Sequence, residues 1–252
     1  YSIFKSMQSA DHIHLRCPGN IGLLGCIIQI LFPKKPKTAK YAGNWDPKAQ
    51  QPFSYKIQKW ILSNTFLTKN MQVLVYGEWP NQSKNIKPFF TASYSENEKE
   101  VVSPRNFSSQ ITFLFVGTLS EGKQPLYAMQ LVEKLIVDGF DIKLEMFGDG
   151  IERKKIEAYI AKNDLRDTII LRRNKTKEEL KVVYKKSHFL LLPSKSEGWP
   201  KVVAEAMFWG CVPIATPISC VSNMLDNENR GLFLKMNLES DVKKIENLIS
   251  EQ

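Results

Sequence analysis

The second half of the chain alternates short apolar segments with longer segments whose apolar residues recur every three or four positions. The short segments are typical of buried parallel strands, and the longer ones are typical of helices that cover them. Strands are predicted at residues 111–116, 142–147, 168–171, 189–192 and 212–215. Helices are predicted at residues 126–138, 152–162, 177–186 and 200–209, with a last helix from about residue 241. This alternation predicts a parallel sheet with helices on both faces.

The first half repeats the pattern with fewer elements. Strands are predicted at residues 10–17, 38–42 and 72–76, and helices at residues 21–32 and 53–67. Residues 80–110 are rich in Asn, Ser, Lys and Glu and contain three prolines, a composition that predicts a linker. We therefore expect an α/β protein with two Rossmann-like parallel-sheet domains, residues 1–107 and 108–252. The first domain is incomplete, because a full one needs about six strands.

The most informative stretch is residues 189–213. Its apolar run stops at Pro193, a polar loop follows, Pro200 opens a helix of good helix formers, and Gly210 closes that helix. Ligands of open parallel sheets bind in the loops that follow the carboxyl ends of strands. The helix N-terminus also offers free N–H groups and a positive dipole end, which favour phosphate.

Two carboxylates bracket this unit, Glu197 in the loop and Glu205 two turns into the helix. If the chain between them were wholly helical, they would lie roughly 12 Å apart. One carboxylate could then meet one end of an extended ligand, and the second carboxylate its middle or far end. A ligand with hydroxyl groups at both ends and phosphates between them suits this layout.

The surroundings of these two residues are more specific than their spacing. They comprise Pro193-Ser194, Glu197-Gly198-Trp199-Pro200, Glu205-Ala206 and Gly210-Cys211-Val212-Pro213. Together they resemble the donor-site signature of the retaining glycosyltransferases of family 4, the group 1 glycosyl transferases. The resemblance covers about residues 111–234 and implies the GT-B architecture of two facing Rossmann-like domains.

That resemblance implies transfer of a sugar, with retention of configuration, from a nucleotide diphosphate sugar to a glycan or lipid-linked acceptor. It implies neither a metal ion nor another cofactor. By the same match, Glu197 contacts the transferred sugar and is a catalytic residue, and Glu205 holds the ribose of the nucleotide. The other matched positions predict a set of donor-binding residues, namely Thr118, Gly148, Arg173, Ser196, Gly198, Trp199, Lys201 and Val202.

The resemblance also implies cations for the diphosphate, and here the chain departs from the family. The family's Gly-Arg-Leu turn is followed by a Lys; Lys123 matches that Lys, but Thr118 stands where the Arg would be. Breaking a sugar–phosphate bond builds negative charge on the leaving diphosphate, so fixed cations lower the barrier. We expect Lys123 to be the main clamp and a catalytic residue, with Lys195, Lys201 or Arg173 as candidates to replace the missing cation.

Three residues of the first half are predicted on the acceptor side. His14 and Arg16 lie on the first predicted strand, where they could face a cleft as a hydrogen-bonding group and an anion partner. The alternative is that they are ordinary strand residues. Asn44 belongs to the turn at residues 43–47, for which plain turn chemistry is the alternative.

The formal net charge of +9 is concentrated in the first half. Residues 1–105 contain 14 Lys and Arg against 6 Asp and Glu, whereas residues 106–252 contain 21 against 20. This asymmetry predicts an anionic partner, either an acidic acceptor or a membrane surface. The apolar helix at residues 21–32 and the basic loop at residues 33–37 form the candidate membrane dock. The alternative is a buried helix of usual length followed by lysines in a solvated loop. Nucleic acid is disfavoured because no aromatic and basic platform is present.

Four scattered cysteines without metal-binding spacing offer no metal site and fit a reducing compartment, which predicts a cytoplasmic protein. With the candidate membrane dock, the predicted location is the cytoplasm, peripheral to the inner face of the membrane. The family's opening Gly-rich loop and closing helix are not found in the chain, so we expect a fragment.

Two alternatives to the glycosyltransferase function remain. One is a sugar-nucleotide-binding protein with little or no catalysis, which Thr118 favours, and the other is a GT-B-type sugar-nucleotide epimerase.

Overall fold

The structure is a computed structural model that describes residues 1–251. Contacts divide the chain into two compact units. Unit 1 contains Tyr1–Thr91 and Glu197–Trp199, and unit 2 contains residues 92–196 and 200–252. Before β5, unit 1 ends at Thr91 and unit 2 begins at Ala92. The domain boundary at residues 107 and 108 stays a prediction.

Unit 1 is built on a parallel four-stranded sheet. Its strands are β1 Ile13–Cys17, β2 Lys37–Tyr41, β3 Met71–Tyr76 and β4 Ile86–Phe89, in that spatial order. Its helices are α1 Ser2–Ser9, α2 Asn20–Ile28, which a 3-10 turn continues over Gln29–Leu31, and α3 Phe53–Ser63. Burial alternates along β1 and β2, so every second residue enters the core. The residues between are exposed in β1 and half-buried in β2.

β4 lies inside the segment predicted as a linker, so the prediction of three strands for the first half was wrong. The strand pairs in parallel with β3, with Val73 opposite Ile86. It is the edge strand of the sheet, and of its four residues only Ile86 is buried. Such an edge strand tolerates Pro88 and lacks the apolar run that reveals an internal strand.

The basic loop at residues 33–37 is less free than predicted. Lys37 is buried, and its Nζ donates to the carbonyls of Gln29 and Phe32 at 3.3 and 3.1 Å. Burial lowers the pKa of Lys37. Lys35 Nζ donates to the carbonyl of Gln8 at 2.7 Å. These two lysines therefore fasten the chain around α1 and α2, which corrects their prediction as solvated docking charges.

Unit 2 is built on a parallel six-stranded sheet with the spatial order β10-β9-β8-β5-β6-β7. The strands are β5 Ile111–Val116, β6 Ile142–Phe147, β7 Ile169–Arg172, β8 Phe189–Leu192, β9 Val212–Ala215 and β10 Leu232–Phe233. The helices are α4 Pro125–Val137, α5 Arg153–Lys162, α6 Lys177–Lys186, α7 Lys201–Phe208, α8 Val221–Met224 and α9 Leu238–Ser250. The predicted alternation of strands and helices is confirmed here; only the short β10 and α8 were not predicted.

The polar segment that precedes β5 is packed onto unit 2. Tyr94 stacks on Phe208 with ring centroids 5.3 Å apart and meets Trp209 edge-on at 5.0 Å. Glu98 pairs with Lys177 at 2.8 Å. Aromatic burial and ion pairing thus order a stretch whose composition resembles that of a loop.

Arg105 completes this attachment, because three of the backbone carbonyls to which it donates lie outside its own segment. Its Nε donates to Ser187 O at 2.9 Å, and its Nη2 donates to Tyr184 O at 3.2 Å and to Trp209 O at 2.8 Å. These carbonyls belong to the ends of α6 and α7, where helices leave acceptors unpaired. One guanidinium therefore joins the segment to both helices.

No helix within residues 1–251 combines the length and apolar character needed to cross a bilayer.

We predict that Arg105→Ala lowers the free energy of unfolding of unit 2 by about 3 kcal/mol, because three part-buried carbonyls lose charge-assisted bonds. Urea unfolding monitored by tryptophan fluorescence measures the change. Arg166→Ala is the control, since Arg166 is exposed and its replacement is expected to change stability by less than about 0.5 kcal/mol. Equal effects of the two substitutions would contradict the attachment described for Arg105.

Candidate functional site

The loops that follow β5, β6, β7 and β8 share one edge of the unit 2 sheet, because all four strands are parallel. The chain leaves β5 toward β6 and leaves β8 toward β9, so the direction of winding reverses between β5 and β8. Ligands of open α/β sheets bind at such a reversal point. The candidate donor site is therefore this edge, where the sequence signature lies.

The loops after β5 and β6 touch each other through their backbones. Gly117 N donates to Phe147 O, and Leu119 N donates to Asp149 O, both at 3.0 Å. A Cβ atom on Gly148 would collide with the carbonyl oxygen of Gly117. Glycine at position 148 thus permits the loops after β5 and β6 to approach each other closely at the site edge.

Lys123 lies at the same edge. Its Cδ and Cε are 3.9 and 4.0 Å from the position that a Cβ on Gly117 would take, so its stem runs beside the end of β5. Thr118, the next residue of that turn, is exposed. The structure therefore places both the predicted clamp and the departure from the family motif at the carboxyl end of β5.

Two of the three candidate replacement cations already have carboxylate partners. Lys195 pairs with Glu121 at 2.6 Å, and its hydrogen bond lowers the pKa of that carboxyl. Arg173 pairs with Asp149 at 3.1 Å while remaining 78% exposed. Lys201 is exposed and is the first residue of α7. Because Lys195 and Arg173 share their charge with a carboxylate, they are weaker substitutes for the missing arginine.

The helix that carries Glu205 starts one residue later than predicted. Pro200 is its N-cap, and the helix runs over Lys201–Phe208. It ends with Gly210 at φ +69° and with Cys211 N donating to Ala206 O at 2.8 Å, a Schellman ending that favours glycine. Glu197 precedes this helix, so the wholly helical spacing considered for the two carboxylates does not apply.

Both oxygens of the Glu205 carboxylate accept hydrogen bonds from hydroxyl groups. Ser93 Oγ donates to Oε1 at 2.5 Å, and Tyr184 Oη donates to Oε2 at 3.0 Å. Tyr184 is fully buried, and burial together with the Glu205 carboxylate raises its pKa well above the usual range. Tyr184 therefore stays protonated and is a permanent donor.

Sequence reasoning missed these two partners. Tyr184 lies on the inner face of α6, where an aromatic residue is indistinguishable from an ordinary core residue. Ser93 is 112 positions before Glu205 and belongs to the segment predicted as a linker. Neither residue belongs to a motif, so only the fold reveals that they meet one carboxylate.

A hydrogen bond from a buried threonine holds the turn after β8. Ser194 is fully buried, and Thr216 Oγ1 donates to its carbonyl at 2.6 Å. Ser196 is exposed, and Val202 is half-buried in the first turn of α7. The predicted donor residues at positions 196, 201 and 202 thus follow a rigid turn at the site edge.

Gly198 and Trp199 make their described contacts within unit 1. The Trp199 ring stacks on Tyr76 at 5.5 Å, and its Nε1 donates to Thr91 O at 2.8 Å. A Cβ atom on Gly198 would collide with the carbonyl of Ala42. These contacts fix the tip of the signature loop, which also contains the half-buried Glu197.

The predicted acceptor-side residues lie on β1 and in the turn that follows β2. His14 Nδ1 is 2.8 Å from Thr38 Oγ1, and Arg16 is exposed on the same face of β1. Asn44 Oδ1 accepts from Asp46 N at 2.9 Å, which is the turn chemistry considered as its alternative. Their acceptor roles stay predictions.

We predict that Gly148→Ala destabilises unit 2 by about 2 kcal/mol or more, because the new methyl group meets a backbone carbonyl rather than a flexible side chain. Gly122→Ala is a matched control in the neighbouring loop, since nothing lies within 4 Å of its Cβ position. Thermal unfolding of both variants measures the difference. A Gly148→Ala protein as stable as Gly122→Ala would show that the two loops do not meet.

Comparison with solved structures identifies the fold. The Anabaena protein HepE in complex with UDP superposes with a TM-score of 0.76 and 13% identity, over 99% of this chain and 71% of that one. The lipopolysaccharide outer core galactosyltransferase WaaB superposes with a TM-score of 0.72 and 17% identity, over 100% of this chain and 70% of that one. These likenesses show the fold, and the prediction of an α/β protein with two Rossmann-like parallel sheets is confirmed.

Two curated relatives are similar in sequence, and both are uncharacterized glycosyltransferases. The relative from Methanocaldococcus jannaschii is 32% identical over 140 residues, which are 55% of this chain and 38% of that protein. The relative from Haemophilus influenzae is 29% identical over 143 residues, 55% of this chain and 39% of that protein. The matched region is therefore well under half the length of either relative.

The family model that describes glycosyl transferases group 1 matches residues 96–252, which is more than half of the chain. The match spans all six strands of unit 2 and the carboxyl-edge loops around Lys123, Gly148 and Glu205. The chain therefore belongs to the group 1 family of glycosyl transferases.

Proposed function

We propose that the protein transfers a sugar from a nucleotide diphosphate sugar to a glycan or lipid-linked acceptor, with retention of configuration at the anomeric carbon. The observation that carries this proposal is the Glu205 carboxylate, which two hydroxyl groups hold on a helix that starts at the edge of Lys123 and Gly148. Uridine is the favoured base, because several neighbours of the same fold were crystallised with UDP.

The donor's ribose fits Glu205. A carboxylate has about four lone-pair positions, and Ser93 and Tyr184 fill two of them. The remaining positions suit the two hydroxyl groups of a ribose. The diphosphate then lies near the N-terminus of α7, where unpaired N–H groups and the helix dipole favour negative charge.

Lys123 stabilises the leaving group in this account. The bond between the anomeric carbon and the phosphate oxygen breaks, and its electron pair stays on the diphosphate. The oxygen of an acceptor hydroxyl group forms the new bond to the anomeric carbon, and the proton of that hydroxyl passes to the departing diphosphate oxygen. The stem of Lys123 lies beside Gly117, and its ammonium offsets the charge that develops on the diphosphate. Glu197 faces the positive charge that develops on the sugar and orients its hydroxyl groups.

A sugar-nucleotide-binding protein with little turnover is the second candidate. Thr118 replaces one cation of the family motif, and carboxylates partly neutralise Lys195 and Arg173. These observations reduce the charge available to the leaving diphosphate while leaving the ribose contact intact. Under this candidate, the donor binds but neither transfer nor hydrolysis follows.

We predict that Lys123→Ala weakens UDP binding about tenfold and lowers turnover of the UDP-sugar 10²-fold or more, because the cation acts most strongly on charge formed in the transition state. Calorimetry measures the affinity, and coupled detection of released UDP measures the turnover. Lys162→Ala is the control, since this exposed lysine lies at the last residue of α5.

Unchanged affinity and turnover in Lys123→Ala would overturn the clamp assignment. Binding without turnover in the wild-type protein would favour the second candidate. NMR of the transferred sugar tests the stereochemistry, and an inverted anomeric centre would contradict retention.

We also propose that unit 1 docks on an anionic membrane surface. Residues 1–91 contain 12 Lys and Arg against 3 Asp and Glu, whereas residues 92–252 contain 23 of each. The outer face of α2 and its 3-10 continuation is apolar and exposed at Ile21, Leu24, Ile27 and Leu31. Since apolar insertion and positive charge act together at such surfaces, an anionic bilayer is the partner that suits both features.

We predict that the protein sediments with vesicles containing an anionic phospholipid, and that 0.5 M salt or the double substitution Leu24→Glu with Ile27→Glu abolishes this binding. Val137→Glu is the control, because Val137 is an exposed apolar residue of unit 2. Equal binding to neutral vesicles, or no binding to either kind, would contradict the proposal.

A further inference from the structure

Two side chains hold the Glu205 carboxylate, and one of them, Tyr184, is too deeply buried to contact a ligand. Tyr184 has no exposed surface, yet its hydroxyl donates to Glu205 Oε2 at 3.0 Å. A residue without exposed surface acts on a bound molecule only through the group it touches. Tyr184 is thus a candidate positioning residue rather than a binding residue.

Ser93 occupies the other carboxylate oxygen, and its own place is fixed. The adjacent Tyr94 is buried between Phe208 and Trp209, and Tyr94 Oη donates to Lys177 O at 3.3 Å. The backbone at residue 93 is therefore tied to α6 and α7. The 2.5 Å bond from Ser93 Oγ to Glu205 Oε1 consequently joins two anchored groups.

We propose that Tyr184 and Ser93 position the Glu205 carboxylate so that one lone pair of each oxygen stays directed at the ribose hydroxyl groups. This inference rests on the proposed function, in which Glu205 holds the ribose. Each oxygen has two acceptor positions, and the protein fills one on each. The carboxylate is then restrained in rotation before the nucleotide arrives, which lowers the entropy cost of binding.

The segment that contains Ser93 gains a role in donor recognition from this arrangement. Residues 92–107 lie outside the six-stranded sheet, and composition marks them only as a polar connection. Their aromatic and ionic anchors nevertheless bring one hydroxyl group to the site. Specificity for a ribonucleotide thus depends on a segment that the signature motif does not include.

The test is the dependence of binding on the ribose hydroxyl groups, measured by calorimetry with UDP and with 2′,3′-dideoxy-UDP. We expect Tyr184→Phe to weaken UDP binding about tenfold, which corresponds to about 1.4 kcal/mol, and to leave binding of the dideoxy compound unchanged. An effect confined to the ligand with hydroxyl groups distinguishes positioning of Glu205 from a general loss of structure.

Tyr127→Phe is the matched control. Tyr127 also donates to a buried carboxylate of unit 2 at 2.6 Å, but it lies on α4 and its partner is Asp241, which is not a predicted site residue. This variant removes a bond of the same chemistry and is expected to bind both nucleotides as the wild type does. Equal losses in Tyr127→Phe and Tyr184→Phe would overturn the proposal.

Ser93 is tested by removal and by rescue. Ser93→Ala is expected to weaken UDP binding several-fold without affecting the dideoxy compound, and Ser93→Thr, which keeps the hydroxyl, is expected to restore it. Tighter UDP binding by Ser93→Ala would overturn this role, since it would show that the Ser93 hydroxyl competes with the ribose.

Glu205→Ala separates the inference from the function on which it rests. If Glu205→Ala loses the hydroxyl-dependent part of UDP binding while Tyr184→Phe and Ser93→Ala keep it, the positioning role fails and the ribose role stands. If wild-type protein binds UDP and dideoxy-UDP equally, the ribose role of Glu205 fails, and the positioning role fails with it.

Discussion

Parallel strands end at one edge of their sheet, and the loops that follow neighbouring strands must share the space there. In unit 2 the loops after β5 and β6 exchange backbone hydrogen bonds, and a side chain on Gly148 would strike the carbonyl of Gly117. This contact brings the two loops together at the candidate site. The stem of Lys123 lies beside the same end of β5.

The orientation of the Glu205 carboxylate depends on a different kind of contact. Glu205 belongs to the signature motif, but its carboxylate is oriented by Tyr184 from the core and by Ser93 from the segment before the sheet. Arg105 and Tyr94 hold that segment against the ends of α6 and α7. The candidate site therefore combines a motif that is recognisable in a short stretch of sequence with two residues, Ser93 and Tyr184, that only the folded chain brings to it.

An element can be predicted from the sequence when its own residues determine it, and it is missed when distant contacts determine it. Strands β5, β6, β8 and β9 were predicted with their observed bounds, because buried parallel strands are nearly all apolar and their limits are sharp. β4 was missed, since an edge strand needs little burial and its contact with β3 is not encoded in its own residues. Lys37 was read as a solvated charge, although its ammonium caps carbonyls at the end of a helix.

The same division holds for the candidate site. Lys123, Gly148 and Glu205 were found from the motif and its spacing, and the structure places all three at or beside the carboxyl edge of one sheet. Ser93 and Tyr184 carry no local signal, because a hydrogen bond across 112 positions depends on tertiary packing. The roles assigned to Lys123, Gly148 and Glu205, and those assigned to Glu197, His14, Arg16 and Asn44, stay predictions.

A thermal-shift screen of the protein with UDP, GDP, ADP, CMP and TDP, beside the Glu205→Ala variant, tests the central claim most directly. The account predicts that one nucleoside diphosphate, with UDP favoured, raises the melting temperature of the wild type and that the variant loses this shift. A shift that persists in Glu205→Ala, or no shift with any of the five nucleotides, would contradict the donor site described here.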